Sequence, residues 1–141
     1  MAIWLQTSSL EKLNERNANT LIEHLDIRFT EIGEDYLKAE MPVDHRTVQP
    51  LGLLHGGASV ALAETLGSIA ANLMVDRTKK VCLGLEINAN HLKSAKSGKV
   101  IGTARPFHIG SSTQVWSIEI RNEEGQLTCI SRITMAVLDV K

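Results

Sequence analysis

Aromatic residues are scarce in this 141-residue chain, at 4%: two Trp, two Phe and one Tyr. The 43% of hydrophobic residues therefore builds a mainly aliphatic core. Neither sign of charge is in excess, with 15 Lys and Arg against 16 Asp and Glu. That balance points away from nucleic acid and from a membrane surface as partners, because both are recruited by surplus positive charge. The one basic run, Arg77-Thr78-Lys79-Lys80, reads as a solvated turn. Cysteine is limited to Cys82 and Cys129, far apart and without a CxxC. They read as buried free thiols in a reducing compartment, not as a redox or zinc site. Five histidines show no metal-ligand spacing, and no phosphate-loop or Rossmann glycine pattern is present, so neither a metal nor a bound cofactor is expected. Met1-Ala2-Ile3-Trp4 lacks a basic segment leading into an apolar core, so no signal peptide is expected. The most apolar stretch is too polar in mid-span to cross a bilayer. What is left is one domain over residues 1–141, expected in the cytoplasm.

What is abundant is concentrated in Gln49 to Met74, QPLGLLHGGASVALAETLGSIAANLM. A turn and loop at Gln49-Pro50-Leu51-Gly52 lead through His55-Gly56-Gly57 into a run of small and apolar residues, Ala58 to Met74. Apolar on nearly every side, it predicts a buried helix roughly 25 Å long at 1.5 Å per residue. Glu64, Ser68 and Asn72 recur every four residues, so they share one face as a narrow polar stripe. A buried carboxylate is costly unless it is paired, hydrogen-bonded or protonated, which marks Glu64 as a candidate functional residue.

The lead-in carries two capping-box signatures, Ser8 with Glu11 and Thr20 with Glu23, predicting two short helices within residues 1–25. From Asp26 the period changes to two. Ile27 and Phe29, then Leu37, Ala39 and Met41, alternate with polar residues around Gly33-Glu34-Asp35, which is a hairpin. Pro42 to Pro50 reads as a loop. Beyond the helix and a turn at Asp76–Lys80 come four strand-like runs: Val81–Leu92, Lys99–His108, Thr113–Arg121 and Leu127–Val140. The connections Ser94–Gly98 and Asn122–Gly125 are short, so the four runs are expected to form an antiparallel meander. The fold class is therefore α+β: an antiparallel sheet wrapped on one long central helix. The sheet's other face and its edges need cover, which points to a homo-oligomer.

The motifs Gln49-Pro50, Leu54-His55-Gly56-Gly57, Ala63-Glu64, Gly67-Ser68 and Gly84-Leu85-Glu86-Ile87-Asn88-Ala89-Asn90-His91, in this order of elements, resemble the hotdog-fold acyl-CoA thioesterases. The similarity runs over roughly Leu25 to Val137. It is strongest to the bacterial 1,4-dihydroxy-2-naphthoyl-CoA thioesterases of menaquinone synthesis and their broad-specificity paralogues, within the phenylacetate-pathway type. The resemblance implies an acyl-CoA substrate, CoA being part of the substrate and not a cofactor. It also implies an active site at a dimer interface, usually in a dimer of dimers.

Thioester hydrolysis needs stabilisation of negative charge on the carbonyl oxygen and a means of delivering the nucleophile. Backbone N–H groups at a helix N-terminus are unpaired and partly positive, and glycine allows close approach, so the Gly56 N–H is the expected oxyanion donor. The plain alternative is a glycine pair serving only a tight turn. Glu64 is the expected general base or nucleophile, with a structural carboxylate hydrogen-bonded to Ser68 and Asn72 as its alternative. The two lie eight residues apart, about 12 Å along a helix, so one chain's Glu64 is expected to serve its partner's Gly56. The resemblance implies that Gln49 positions the water or thioester. It gives His55 the role of orienting the loop or polarising the carbonyl, against plain helix capping. Ser68, and less directly Thr65, would hold Glu64 or the water. The CoA handle is expected from Gly84, Asn90, His91, Lys93 and Ser94, and from a later turn with His108, Gly110, Ser111 and Ser112. Two rival readings follow. A hotdog hydroxyacyl-thioester dehydratase would use His55 opposite the carboxylate. A non-catalytic acyl-CoA-binding sensor would not need Glu64.

Overall fold

The computed structural model describes all 141 residues. Nine elements run along the chain: α1 (Leu10–Glu15), α2 (Leu21–His24), β1 (Arg28–Ile32), β2 (Leu37–Pro42), α3 (Gly56–Leu73), β3 (Lys80–His91), β4 (Lys99–Ile109), β5 (Thr113–Asn122) and β6 (Leu127–Asp139). The six strands form one antiparallel sheet in the order β1-β2-β4-β5-β6-β3, with α3 packed against it.

Alternation builds this interior. Leu37, Ala39 and Met41 of β2, Trp116, Ile118 and Ile120 of β5, and Ile133 and Met135 of β6 turn inward and are buried. They close over Leu62, Leu66 and Ala70 of α3. Gly67 sets how closely the helix lies on the sheet: a Cβ there would stand 2.5 Å from Ile133 Cγ2. The core is aliphatic apart from two aromatics. Trp116 is its largest fully buried side chain and Phe29 is also buried. Trp4 stacks on Trp116 with centroids 5.9 Å apart and donates its Nε1–H to Gly33 O, which fastens the lead-in to the β1–β2 turn.

The hairpin, the central helix and the strand positions agree with expectation; three details do not. The cap of α1 is Ser9, not Ser8, with Ser9 Oγ accepting from Lys12 N at 3.2 Å. A cap is chosen by which hydroxyl reaches an orphan amide, and two adjacent serines leave that open in the sequence. At α2 the cap is Thr20 as expected, and Glu23 Oε2 accepts from Asn19 N.

The expected four-strand meander is confined to β4-β5-β6. β3 does not pair with β4; it pairs along its length with β6, from Lys80↔Asp139 to His91↔Cys129, while β4 pairs with β2. The connecting segment is pinned elsewhere. Leu92 N donates to Thr128 O, Leu54 N to Ala95 O and Val43 N to Gly98 O, so it crosses the end of the sheet instead of turning back on itself.

Helix α3 is not buried all round. In one protomer the sheet covers a single side, and Val60, Ala61, Glu64, Thr65, Ser68, Ile69 and Asn72 form an incompletely covered stripe on which Glu64 is exposed. The expectation of a buried carboxylate therefore fails for the isolated protomer. Both cysteines are free and buried, and burial pushes each thiol above its ordinary pKa. No helix is long and apolar enough to cross a membrane.

Candidate active site

The site is organised by the start of α3. Thr47 to His55 forms a small looped ribbon. Val48 and Leu54 bridge, Gln49 N donates to Leu53 O, Gly52 turns the chain at φ 79°, and His55 N donates to Thr47 O. Asp44 and Arg46 anchor its beginning. The guanidinium hydrogen-bonds the Asp44 carboxylate at 2.6 Å and holds its pKa down at about 2.

His55 is the helix cap. Its Nδ1 accepts the Gly57 N–H at 2.8 Å, so in the neutral ring the proton sits on Nε2, which faces away from the cap. Ala58 N and Ser59 N donate to His55 O. Of the first four amides of α3, only Gly56 N–H has no acceptor within the protomer. This is the amide expected to bind the oxyanion.

The reason for glycine here differs from the expected one. A Cβ at Gly56 would stand 2.8 Å from His91 Nε2, and one at Gly57 would stand 2.9 Å from the His55 ring. The glycine pair makes room for two imidazoles. Around this point Gln49, Gly56, Ser59, His91, Lys93 and Ser94 line one cleft of about 350 Å³. Gln49 Oε1 there accepts from Leu51 N, an internal contact of its own loop.

Glu64 lies two turns farther along α3, outside that cleft. Its carboxylate rests on β3, where a Cβ at Gly84 would come 2.7 Å from Oε2. The β3–β6 ladder slips register between Gly84 and Glu86, at the level of this carboxylate. The structural alternative for the polar stripe is not borne out. Asn72 is engaged by β3, donating to Cys82 O at 3.1 Å and accepting from Cys82 N at 2.9 Å. Thr65 donates to Ala61 O inside the helix, so it does not hold Glu64. Ser68 remains half-buried one turn beyond the carboxylate.

The residues expected to hold CoA do not converge in one protomer. His91, Lys93 and Ser94 share the Gly56 cleft. Asn90 turns to a separate groove on the outer sheet face with Phe107, Ile130 and Arg132. Gly84 and the β4–β5 turn lie toward the far end of β6: Gly84 pairs with Met135, and Ser112 O accepts from Val137 N. From Cys129, beside His91, to Val137 is roughly 25 Å of strand at ~3.3 Å per residue. His108 folds over Gly110 in that turn, where Ser111 is also exposed. The contact of His91 with Gly56 was missed by sequence reasoning, which grouped His91 only with its strand neighbours.

A sequence profile of the thioesterase superfamily matches residues 51–129. A 1,4-dihydroxy-2-naphthoyl-CoA hydrolase of Escherichia coli is 54% identical over 136 residues, 96% of this chain and 99% of that protein. The proofreading thioesterase EntH of Cronobacter turicensis is 48% identical, over 96% of this chain and 98% of that one. Among solved structures, a mutant thioesterase of Pseudomonas aeruginosa superposes with a TM-score of 0.97 at 49% identity, covering 99% and 100% of the two chains. These similarities favour hydrolysis over the dehydratase and sensor readings. The chain belongs to the thioesterase superfamily, as a thioester hydrolase built on the hotdog fold.

Proposed function

We propose that the chain hydrolyses an aromatic or medium-chain acyl-CoA to the free acid and CoA, at a site shared by two copies. The observation that carries this reading is the division of the helix. An unpaired Gly56 N–H stands at its start, and a solvent-facing carboxylate stands two turns on, about 12 Å away by helical rise. Reacting groups must come within roughly 3–3.5 Å. The two cannot meet on one helix, but they meet when two such helices lie antiparallel across a two-fold axis.

The free edge of β3 fits that assembly. It is twelve residues long and exposes Leu83 and Leu85, an edge that favours pairing with a second copy. The same operation joins the split CoA set. Gly84, Ser111 and Ser112 travel with the Glu64 half, and His91, Lys93 and Ser94 with the Gly56 half. A dimer of dimers then covers the outer sheet face.

In this scheme the Gly56 N–H donates a hydrogen bond to the thioester oxygen as negative charge develops on it, aided by the α3 dipole. The partner's Glu64 either takes a proton from water as it attacks the carbonyl carbon, or attacks directly to give an anhydride that water cleaves. Either way the C–S bond breaks and CoA leaves as the thiol. The 54% identity to the E. coli enzyme makes 1,4-dihydroxy-2-naphthoyl-CoA the first substrate to test. The experiment is a panel of aryl and fatty acyl-CoAs read with a chromogenic thiol trap, beside Glu64→Gln. Thiol release matched by free acid, and reduced at least ~10²-fold in the variant, supports the reading. Wild-type turnover in folded Glu64→Gln would sink it.

A further inference from the structure

We propose that the cleft between the lead-in and the end of α3 receives the far end of the acyl group, and that Lys12, Arg16 and Arg77 there select an acyl chain ending in a carboxylate. This rests on the hydrolytic reading and narrows its substrate class.

Helix α3 walls a cleft at each end. The one at its start holds Gly56. The one at its end measures about 330 Å³ and is bounded by Ile69, Asn72 and Leu73 of α3 and by Gln6, Thr7 and Ser8 of the lead-in. Ile69 and Asn72 continue the incompletely covered stripe that carries Glu64 and Ser68. They lie five and eight residues beyond Glu64, about 7.5 and 12 Å by helical rise. A medium-length acyl chain whose carbonyl is held at Glu64 therefore reaches this cleft.

The charge of the cleft is unlike that of the chain as a whole. Lys12 and Arg16 stand four apart on one face of α1, and Arg77 comes from the basic run that follows α3. The lysines and arginines that form ion pairs are Arg28, Lys38, Arg46, Lys80, Lys99 and Arg121, so these three form none. Glu15 is the one carboxylate on the wall, and it pairs with none of them. Carbonyls at a helix C-terminus oppose an anion. Here Leu73 O is taken by Leu5 N at 3.1 Å and Gln6 N at 2.9 Å, and Val75 O by Gln6 Nε2 at 2.7 Å. The three cationic side chains are exposed, but their support is fixed. Leu13 is buried beneath them, and Asn14 exchanges two hydrogen bonds with the Phe29 backbone. Unmatched cations around one concavity suit a carboxylate, which a guanidinium binds through two parallel N–H bonds.

The test uses two thioesters of one chain length: octanoyl-CoA and suberoyl-CoA, the same chain ending in a carboxylate. The wild type should turn over the suberoyl ester at least as efficiently. The readout is the ratio of kcat/KM, suberoyl over octanoyl. An exposed ion pair is worth a few-fold, so Arg16→Ala and Arg77→Ala should each lower the ratio by about two- to fivefold, mainly through KM, and the double variant by about tenfold. Arg16→Lys, which keeps the charge, should retain part of it, and added NaCl should compress the wild-type ratio. An unchanged ratio in the double variant would overturn the proposal, whether both esters keep their rates or lose them together. So would a wild type that cleaves octanoyl-CoA but not suberoyl-CoA. The same contrast is read without turnover, as calorimetric Kd values for the two esters with Glu64→Gln as background: Arg16→Ala should weaken suberoyl-CoA by two- to fivefold more than octanoyl-CoA, and equal weakening would overturn the proposal. Failure of the hydrolytic reading shows separately, as wild-type turnover in Glu64→Gln alone.

Discussion

Replacing Gly56 by alanine tests whether the start of α3 binds the reacting carbonyl. The backbone tolerates the change, because Gly56 lies in the first turn of a regular helix and is not among the residues with positive φ. The added methyl meets the His91 ring first, at 2.8 Å from Nε2, 3.2 Å from Cε1 and 3.3 Å from Cδ2. That ring is exposed, so it swings aside, and stability should change by no more than about 1 kcal/mol in either direction, alanine being the better helix former. The amide proton remains. The methyl and the displaced imidazole instead occupy the approach to it. Loss of one oxyanion contact corresponds to about 2.7–4 kcal/mol of transition-state stabilisation. Steady-state thiol release should therefore fall by about 10² or more, with Tm within a few degrees of wild type. Near-wild-type kcat in the folded variant would refute Gly56 as the oxyanion donor.

Gly84→Ala should act on the other half of the site. Its methyl would lie 2.7 Å from Glu64 Oε2 and push the carboxylate off β3, lowering kcat by about tenfold or more with the fold retained; unchanged kinetics would show that this seat is unimportant. Incubation with EDTA should leave thiol release unchanged, and a loss restored by zinc would contradict the assignment of the chemistry to Gly56 and Glu64. Asp44, with its folded pKa depressed to about 2 by Arg46, contributes stability that is fully present above the ordinary carboxylate value of 3.8 and is lost as pH falls toward 2. Asp44→Asn should flatten the acid limb of a Tm-against-pH profile in that window, and an identical profile would show that the pair does not hold the loop.

Local signals were legible because they rest on neighbours in sequence. The glycine pair, the run of small residues and the alternation in β2 and β5 place the helix and strands to within a few residues. What was not legible depends on pairing between distant segments. Whether β3 turns back on β4 or crosses to β6 is decided by bonds from Leu92 to Thr128 and from Leu54 to Ala95, which no periodicity encodes. The polar stripe showed that Glu64 was unusual, but its exposure follows from the sheet covering one side of α3 only. Likewise His91 lies 35 positions from Gly56, and only the packing of the β3 terminus on the helix start brings them together.

The central claim is that oxyanion turn and carboxylate come from different chains, and subunit mixing tests it most directly. Glu64→Ala removes the carboxylate, and Gln49→Ala damages the cleft that holds Gly56. The two variants are unfolded and refolded together, with exchange confirmed by mass spectrometry. Random pairing makes about half of the dimers mixed, each with one intact site and one doubly damaged site, so activity should recover to about a quarter of wild type. If each chain used its own Glu64 and Gln49, every site would keep one lesion, and the mixture would show only the average of the two variants.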